Sequence, residues 1–254
     1  ISSWAEKTSY EAAAAIIAVS DGMRADVLAA YPDVDPKKVV TIRNGVDTSE
    51  FAPNNNPAVL EEFGITGRYA MFVGRITRQK GLAHLLRAWK SVPAEYGLVL
   101  AAGSPDEETV GNEVAALIAE LQATRSNVWW IKEMLPHDKL TAALTQADLF
   151  LCPSIYEPLG IVNLEAMGCE TAVLASRVGG IPEVVSHQET GILVDYTPDH
   201  SRFEADLTAA ISELMADPAR LEKYGKAGRV RAETHFGWDA VAQQTISLYR
   251  SVIS

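Results

Sequence analysis

The chain has 254 residues, 48% of them hydrophobic, and a formal net charge of −11. That length buries a sizeable core in one large or two small domains, and the acidic balance excludes unspecific binding to nucleic acid or anionic membrane, both of which need basic surface. No apolar stretch approaches the ~20 residues of a membrane span, and the two cysteines, Cys152 and Cys169, lack metal-ligand spacing and read as reduced, cytoplasmic thiols.

The sequence starts at Ile1 inside a helical pattern, with no signal peptide, which predicts a fragment of a longer protein. "AIIAVS" (15–20) reads as a strand leading into "DGMRADVLAAYP", where Ser20 or Asp21 caps a helix that stops before Pro32. "VVTIRNGVD" (39–47) predicts a strand ending in an Asn-Gly turn, and "FAPNNNPAV" (51–59) is the most linker-like segment, so a domain boundary is expected there. Six near-continuous apolar runs follow, at 69–74, 97–103, 127–131, 148–152, 171–176 and 190–194. Continuous runs are what parallel strands buried on both faces require. Helical patterns separate them at 81–91, 106–124, 137–146, 161–168 and 201–216. This alternation predicts an α/β fold with a Rossmann-like doubly wound parallel sheet over about 60–215. Two more helices are expected, 218–235 and 237–252; the last carries Trp238, Val241, Thr245, Leu248 and Val252 on one face, which predicts that this face is packed.

Ligands of open α/β sheets bind outside the carboxyl ends of the strands, and polar motifs stand at those positions. In "FVGRITRQKG" (72–81), Gly74 leaves room for a ligand, while Arg75 and Lys80 stand at the expected start of a helix. A guanidinium and an ammonium placed there suit a diphosphate. A solvated basic turn fits the same residues. In "SIYEPLGIVNLEAMGCE" (154–170), the amides of Leu159, Gly160 and Ile161 would face a ligand at a helix mouth beside Glu157. Glu165, in helical register with Ile161, could reach the same site and accept sugar hydroxyls. Helix-dipole complementarity for Glu157 and an exposed helical charge for Glu165 are the plainer readings, and a glycosidase carboxylate pair is a third. Gly179-Gly180 in "VGGIPEVV" (178–185) suits phosphate or sugar contact, or a tight turn alone. Met134 and Leu135, in "KEMLP" (132–136), could wall a base pocket next to Trp129-Trp130, which otherwise reads as core strand. Asp33 and Asp35 read as turn chemistry, and the histidines at 84, 137, 187, 200 and 235 show no ligand spacing.

"FVGRITRQKG", "SIYEPLGIVNLEAMGC" and "GGIPEVV", in this order and at these separations, resemble the retaining GT-B glycosyltransferases of family 4, bacterial glycogen synthase type. "SSWAEKTSYEAAAAIIAVSDGMRADV" and "RNGVDTSEF" resemble the end of that family's first domain and its crossover. The resemblance implies three parts: residues 1–52 as an N-domain remnant, 53–236 as the donor-binding domain, and 237–254 as a helix crossing back. It implies a glucosyltransferase using ADP-glucose, or UDP-glucose, with an α-glucan acceptor held by an absent N-terminal domain; trehalose-, sucrose- or mannosyl-type transfer and a non-catalytic nucleotide-sugar binder are the alternatives. It assigns catalysis to Glu157, Arg75 and Lys80, and donor binding to Gly74, Leu159, Gly160, Ile161, Glu165, Met134 and Leu135, with no metal and no cofactor. Glu170 departs from the family pattern, which has glycine there, and is expected to disturb the turn. The chain alone is expected to bind donor without transferring sugar.

Overall fold

The computed structural model describes residues 2–253; Ile1, where the first helical pattern begins, and residue 254 lie outside them. Among the described residues a small parallel pair, β1 (Ile16–Ala18) and β2 (Val39–Thr41), precedes a six-stranded parallel sheet. The large sheet comprises β3 (Tyr69–Ile76), β4 (Gly97–Pro105), β5 (Val128–Ile131), β6 (Leu149–Cys152), β7 (Ala172–Ser176) and β8 (Gly191–Val194), in the order β5-β4-β3-β6-β7-β8. The winding reverses between β3 and β6, the point where doubly wound sheets open a ligand crevice.

The helices are α1 (Ser2–Ala12), α2 (Asp21–Ala30), α3 (Ala58–Phe63), α4 (Leu82–Trp89), α5 (Glu108–Thr124), α6 (His137–Thr145), α7 (Ile161–Gly168), α8 (Ile181–Val184), α9 (His200–Met215), α10 (Pro218–His235) and α11 (Trp238–Ile253). Side chains of β3 alternate between the two faces of the sheet. Ala70 and Phe72 join Leu85, Val114 and Phe203 of α4, α5 and α9; Tyr69 and Met71 join Ala143, Leu164 and Ile181 of α6, α7 and α8. All four strand residues are buried, so neither face leaves a polar position and the sequence reads as one apolar run. Among the described residues no helix is long and apolar enough to cross a membrane. Both cysteines are free and buried, and burial pushes the Cys169 thiol up to about 12.

Three expectations need correction. The 39–47 run is a strand only to Thr41; Val46 instead bridges to Gly237. The 51–59 segment is anchored and contains the start of α3. Asn54 donates from its backbone to Thr145 Oγ1 (2.9 Å) and from its side chain to Asp138 O (3.0 Å), and Gln146 donates to Asn56 O. The asparagines that look linker-like are the groups that tie this segment to α6. Finally, α11 buries none of its side chains: Trp238 is 51% exposed, and Val241, Thr245 and Leu248 are only partly covered.

Glu170 does not break its turn. It takes the left-handed backbone expected of glycine (φ 62°), while Thr171 N reaches back to Ala166 O and Glu170 N to Met167 O, closing α7 as a Schellman cap. A side chain in that conformation is strained. Glu170→Gly is therefore expected to stabilise the chain by about 1 kcal/mol, read as a rise in the urea midpoint; an unchanged or lower midpoint would show that the Glu170 side chain compensates.

Candidate active site

The loops after β3 and β6 meet at the switch point. Ile155 N donates to Gln79 O (2.9 Å), and Gly81 (φ 66°) lies so close to the other loop that a Cβ there would stand 1.9 Å from Pro153 O. Only glycine permits that approach. Thr77 caps the short 3₁₀ turn Arg78–Lys80, and its hydroxyl accepts from Lys80 N. Lys80 is thereby aimed at Glu157: Nζ donates to Oε2 at 2.7 Å, and Ser154 Oγ donates to the same oxygen at 3.3 Å. The two charged side chains are only 21% and 11% exposed. A buried charge needs such a partner.

Lys80, Glu157, Leu159, Gly160 and Ile161 line one cavity of about 340 Å³, together with Val19 and Asn44. Leu159 packs its side chain into the core, which leaves the 159–161 amides at the amino end of α7, where the first N–H groups have no intrahelical carbonyl. An anion is favoured there, and the ammonium of Lys80 adds to it.

Arg75 does not join this cluster. It lies in β3, one residue before its end, and does not start a helix, and its guanidinium turns to Asp106 at 2.9 Å while remaining 73% exposed. It lines a second cavity, of about 370 Å³, with Gly74, Met134, Leu135, Val73 and Leu140. Lys80 connects the two, since its Cδ lies 4.0 Å from where a Gly74 Cβ would be. The second cavity is mainly apolar, with Met134 94% exposed at its edge. An aromatic base would cover such a surface.

Glu165 lines neither cavity. It is mostly covered within α7, and burial raises its carboxyl above the ordinary glutamate range, opposed by the charges of His137 and Lys80. The folded chain thus holds a proton on Glu165 more readily than the unfolded chain, so burial of this group costs stability above its folded pKa and the cost fades as pH falls toward the ordinary 4.5. Glu165→Gln is expected to raise the urea midpoint at pH 7, with the gain shrinking at pH 5; no gain at pH 7 would mean that the carboxylate is adequately solvated.

Gly179 and Gly180 are absent from both cavities and pack against backbone: a Cβ on Gly179 would lie 2.0 Å from Glu157 O. Of the two readings of these glycines, the tight turn accounts for this packing. Trp129 and Trp130 belong to edge strand β5, and each packs on a different face. The histidines make structural contacts, such as His84 Nδ1 with Glu204 Oε1 at 2.8 Å and His187 Nδ1 accepting from Leu193 N at 3.0 Å. Asp35 caps a 3₁₀ turn and Asp33 pairs with Lys7. Asn44 was missed as a site residue. Its signal was available: it begins a polar turn beyond the carboxyl end of β2, yet Asn-Gly reads first as turn chemistry.

Residues 61–231 match the model for glycosyl transferases group 1, and residues 1–50 match that for glycosyltransferase family 4. The chain belongs to the group 1 glycosyl transferases. It is 49% identical over 99% of its length to the α-maltose-1-phosphate synthase of Mycolicibacterium smegmatis, 67% of which it spans. Among solved structures, sucrose-phosphate synthase from Thermosynechococcus elongatus superposes with a TM-score of 0.83 at 30% identity, over 99% of this chain and 61% of that one. Anabaena HepE in complex with UDP-glucose superposes with a TM-score of 0.86 at 21% identity, over 98% and 67%, and shares the fold. The α/β fold with its parallel sheet is that of the GT-B transferases, and the chain is of a glycosyltransferase. None of these three relatives is named a glycogen synthase, so the finer likeness drawn from the motifs is not carried by them.

Proposed function

We propose that this group 1 transferase takes glucose from a nucleotide-glucose, ADP-glucose in preference to UDP-glucose, and passes it with retention to an α-linked acceptor. The observation that carries the reading is the 2.7 Å Lys80–Glu157 contact at the switch point, with the Arg75 cavity adjoining it. In this reading Lys80 and Arg75 hold the diphosphate and offset the charge that develops as it leaves. The 159–161 amides add donors and Glu157 holds the glucose; the ribose role that the resemblance gives Glu165 requires its covered carboxylate to reach past the cavity wall. Met134 and Leu135 cover the base. The bond from the anomeric carbon to the diphosphate breaks, the acceptor hydroxyl bonds on the face just vacated, and its proton passes to the departing phosphate.

The 49% likeness to an α-maltose-1-phosphate synthase supports a small phosphorylated sugar as acceptor. This shifts the choice away from a glycogen-type glucan chain and keeps the α-glucoside product. Transfer itself is to be assayed on the full-length protein, because the chain spans 67% of that relative.

Calorimetric titration of the chain with ADP-, UDP- and GDP-glucose tests the donor. ADP-glucose is expected to bind tightest. Arg75→Ala is expected to weaken it about tenfold to a hundredfold, the worth of a charge-assisted contact. Stability should change by no more than about 0.5 kcal/mol, because the Arg75–Asp106 pair is a surface one. Equal binding by wild type and variant would remove Arg75 from the diphosphate site.

A further inference from the structure

The turn that carries Glu157 is held from beneath by groups that line neither cavity. Ser20, fully buried between β1 and α2, accepts from Met23 N (2.9 Å) as the cap of α2 and donates its own proton to Pro158 O at 2.5 Å. Pro158 lies between Glu157 and the 159–161 amides. From the other side, Gly180 N donates to Glu157 O at 3.0 Å. A Cβ on Gly180 would stand 2.4 Å from Pro158 O, and one on Gly22 would stand 2.8 Å from Gly179 O. Segments 20–22, 157–160 and 179–180 are thus stacked around the Ser20 hydroxyl, with no space for a side chain at Gly22, Gly179 or Gly180.

Charge closes the stack. Glu183 accepts from Gly22 N (3.1 Å) through Oε1 and from Arg43 Nε (2.7 Å) through Oε2, and Arg43 also donates to Asp21 at 2.7 Å. Arg231 binds the carbonyls of Glu183 and Val184, so Glu183 is itself fixed. Tyr156, beside Glu157, donates to Asp26 of α2 at 3.1 Å. A displacement of α2 would therefore be transmitted to the Glu157 turn through several independent bonds.

We propose that Ser20, backed by the Arg43–Glu183 pair, is a positioning residue: it sets the height of the 157–160 turn, and with it the reach of Glu157 and the neighbouring amides toward the sugar and diphosphate. The proposal rests on the donor-site reading given above. Base and ribose contacts fall to the other cavity and to α7, so loss of the Ser20 bond should weaken the sugar-diphosphate part of binding selectively.

The test compares calorimetric affinities for ADP-glucose and AMP on wild type, Ser20→Ala and Arg43→Ala. Ser20→Ala is expected to weaken ADP-glucose about tenfold, the worth of one well-placed hydrogen bond, and to leave AMP within about twofold. Arg43→Ala, at a side chain 38% exposed, is expected to shift the same ratio in the same direction by a smaller factor. It carries the test if Ser20→Ala does not fold. Equal weakening of both ligands would show a general structural role and overturn the proposal, as would an unchanged ratio in both variants. A wild-type chain that binds AMP but gains nothing from the glucosyl-diphosphate would overturn the donor-site reading, and the positioning role with it.

Discussion

Lys80→Ala is expected to lower affinity for nucleotide-glucose about a hundredfold or more, the largest loss expected of any single side chain in the site. The ammonium both lines the cavity of the 159–161 amides and is the partner of Glu157. Truncation leaves a carboxylate that is 11% exposed without its counter-ion. One partner removed from a buried pair costs several kcal/mol; with Lys80 21% exposed, about 2 kcal/mol of stability is the appropriate scale. The double variant Lys80→Ala with Glu157→Gln should recover part of that loss, because the orphaned charge is gone. Urea denaturation of the two singles and the double closes the cycle. A double variant no more stable than Lys80→Ala, or wild-type affinity in Lys80→Ala, would show that the pair is not coupled or that the diphosphate sits elsewhere.

Gly81→Ala has the larger consequence for folding. An alanine at φ 66° carries a left-handed penalty of about 1–2 kcal/mol, and its Cβ would overlap Pro153 O at 1.9 Å. The loops after β3 and β6 would have to separate, for a total above about 3 kcal/mol, and donor binding should be lost with them. Gly64 is the internal control. It has nearly the same backbone, φ 63°, but nothing within 4 Å of its Cβ position, so Gly64→Ala should cost only about 1 kcal/mol. Equal losses at the two positions would show that close packing of the loops contributes nothing.

The strands were legible because burial on two faces removes polar positions, as from Tyr69 to Phe72. The sequence placed the loops of Lys80 and Glu157 at the carboxyl ends of strands, where a doubly wound sheet opens its crevice. Its motifs paired Arg75 with Lys80 and Glu157 with Glu165, however, and the Lys80–Glu157 contact emerges only from the fold. The direction of Arg75 was not legible either, since it depends on Asp106, which lies across the neighbouring β4 turn. Gly179 and Gly180 show a different limit. A glycine that admits a ligand and a glycine that admits another backbone look alike in sequence; only the positions of Glu157 O and Pro158 O separate them. The asparagines at 54 and 56 were misread for a similar reason, because composition says nothing of the acceptors α6 offers. Helical spacing identified the apolar face of α11 but not that the fold leaves this face largely uncovered.

The strand order has an outcome for the assembly of the protein. Strand β3 runs beside β4 from Tyr69 to Ile76, but beside β6 it is registered only at Ala70–Leu149 and Met71–Phe150. Asp148 reinforces one end of that narrow seam by accepting from Arg68 and Tyr69 N, and the Ile155–Gln79 and Lys80–Glu157 bonds hold the other end, where a molecule gripped by both Lys80 and the 159–161 amides would add to them. Occupancy should then slow amide-hydrogen exchange in the β3–β5 half and the β6–β8 half together.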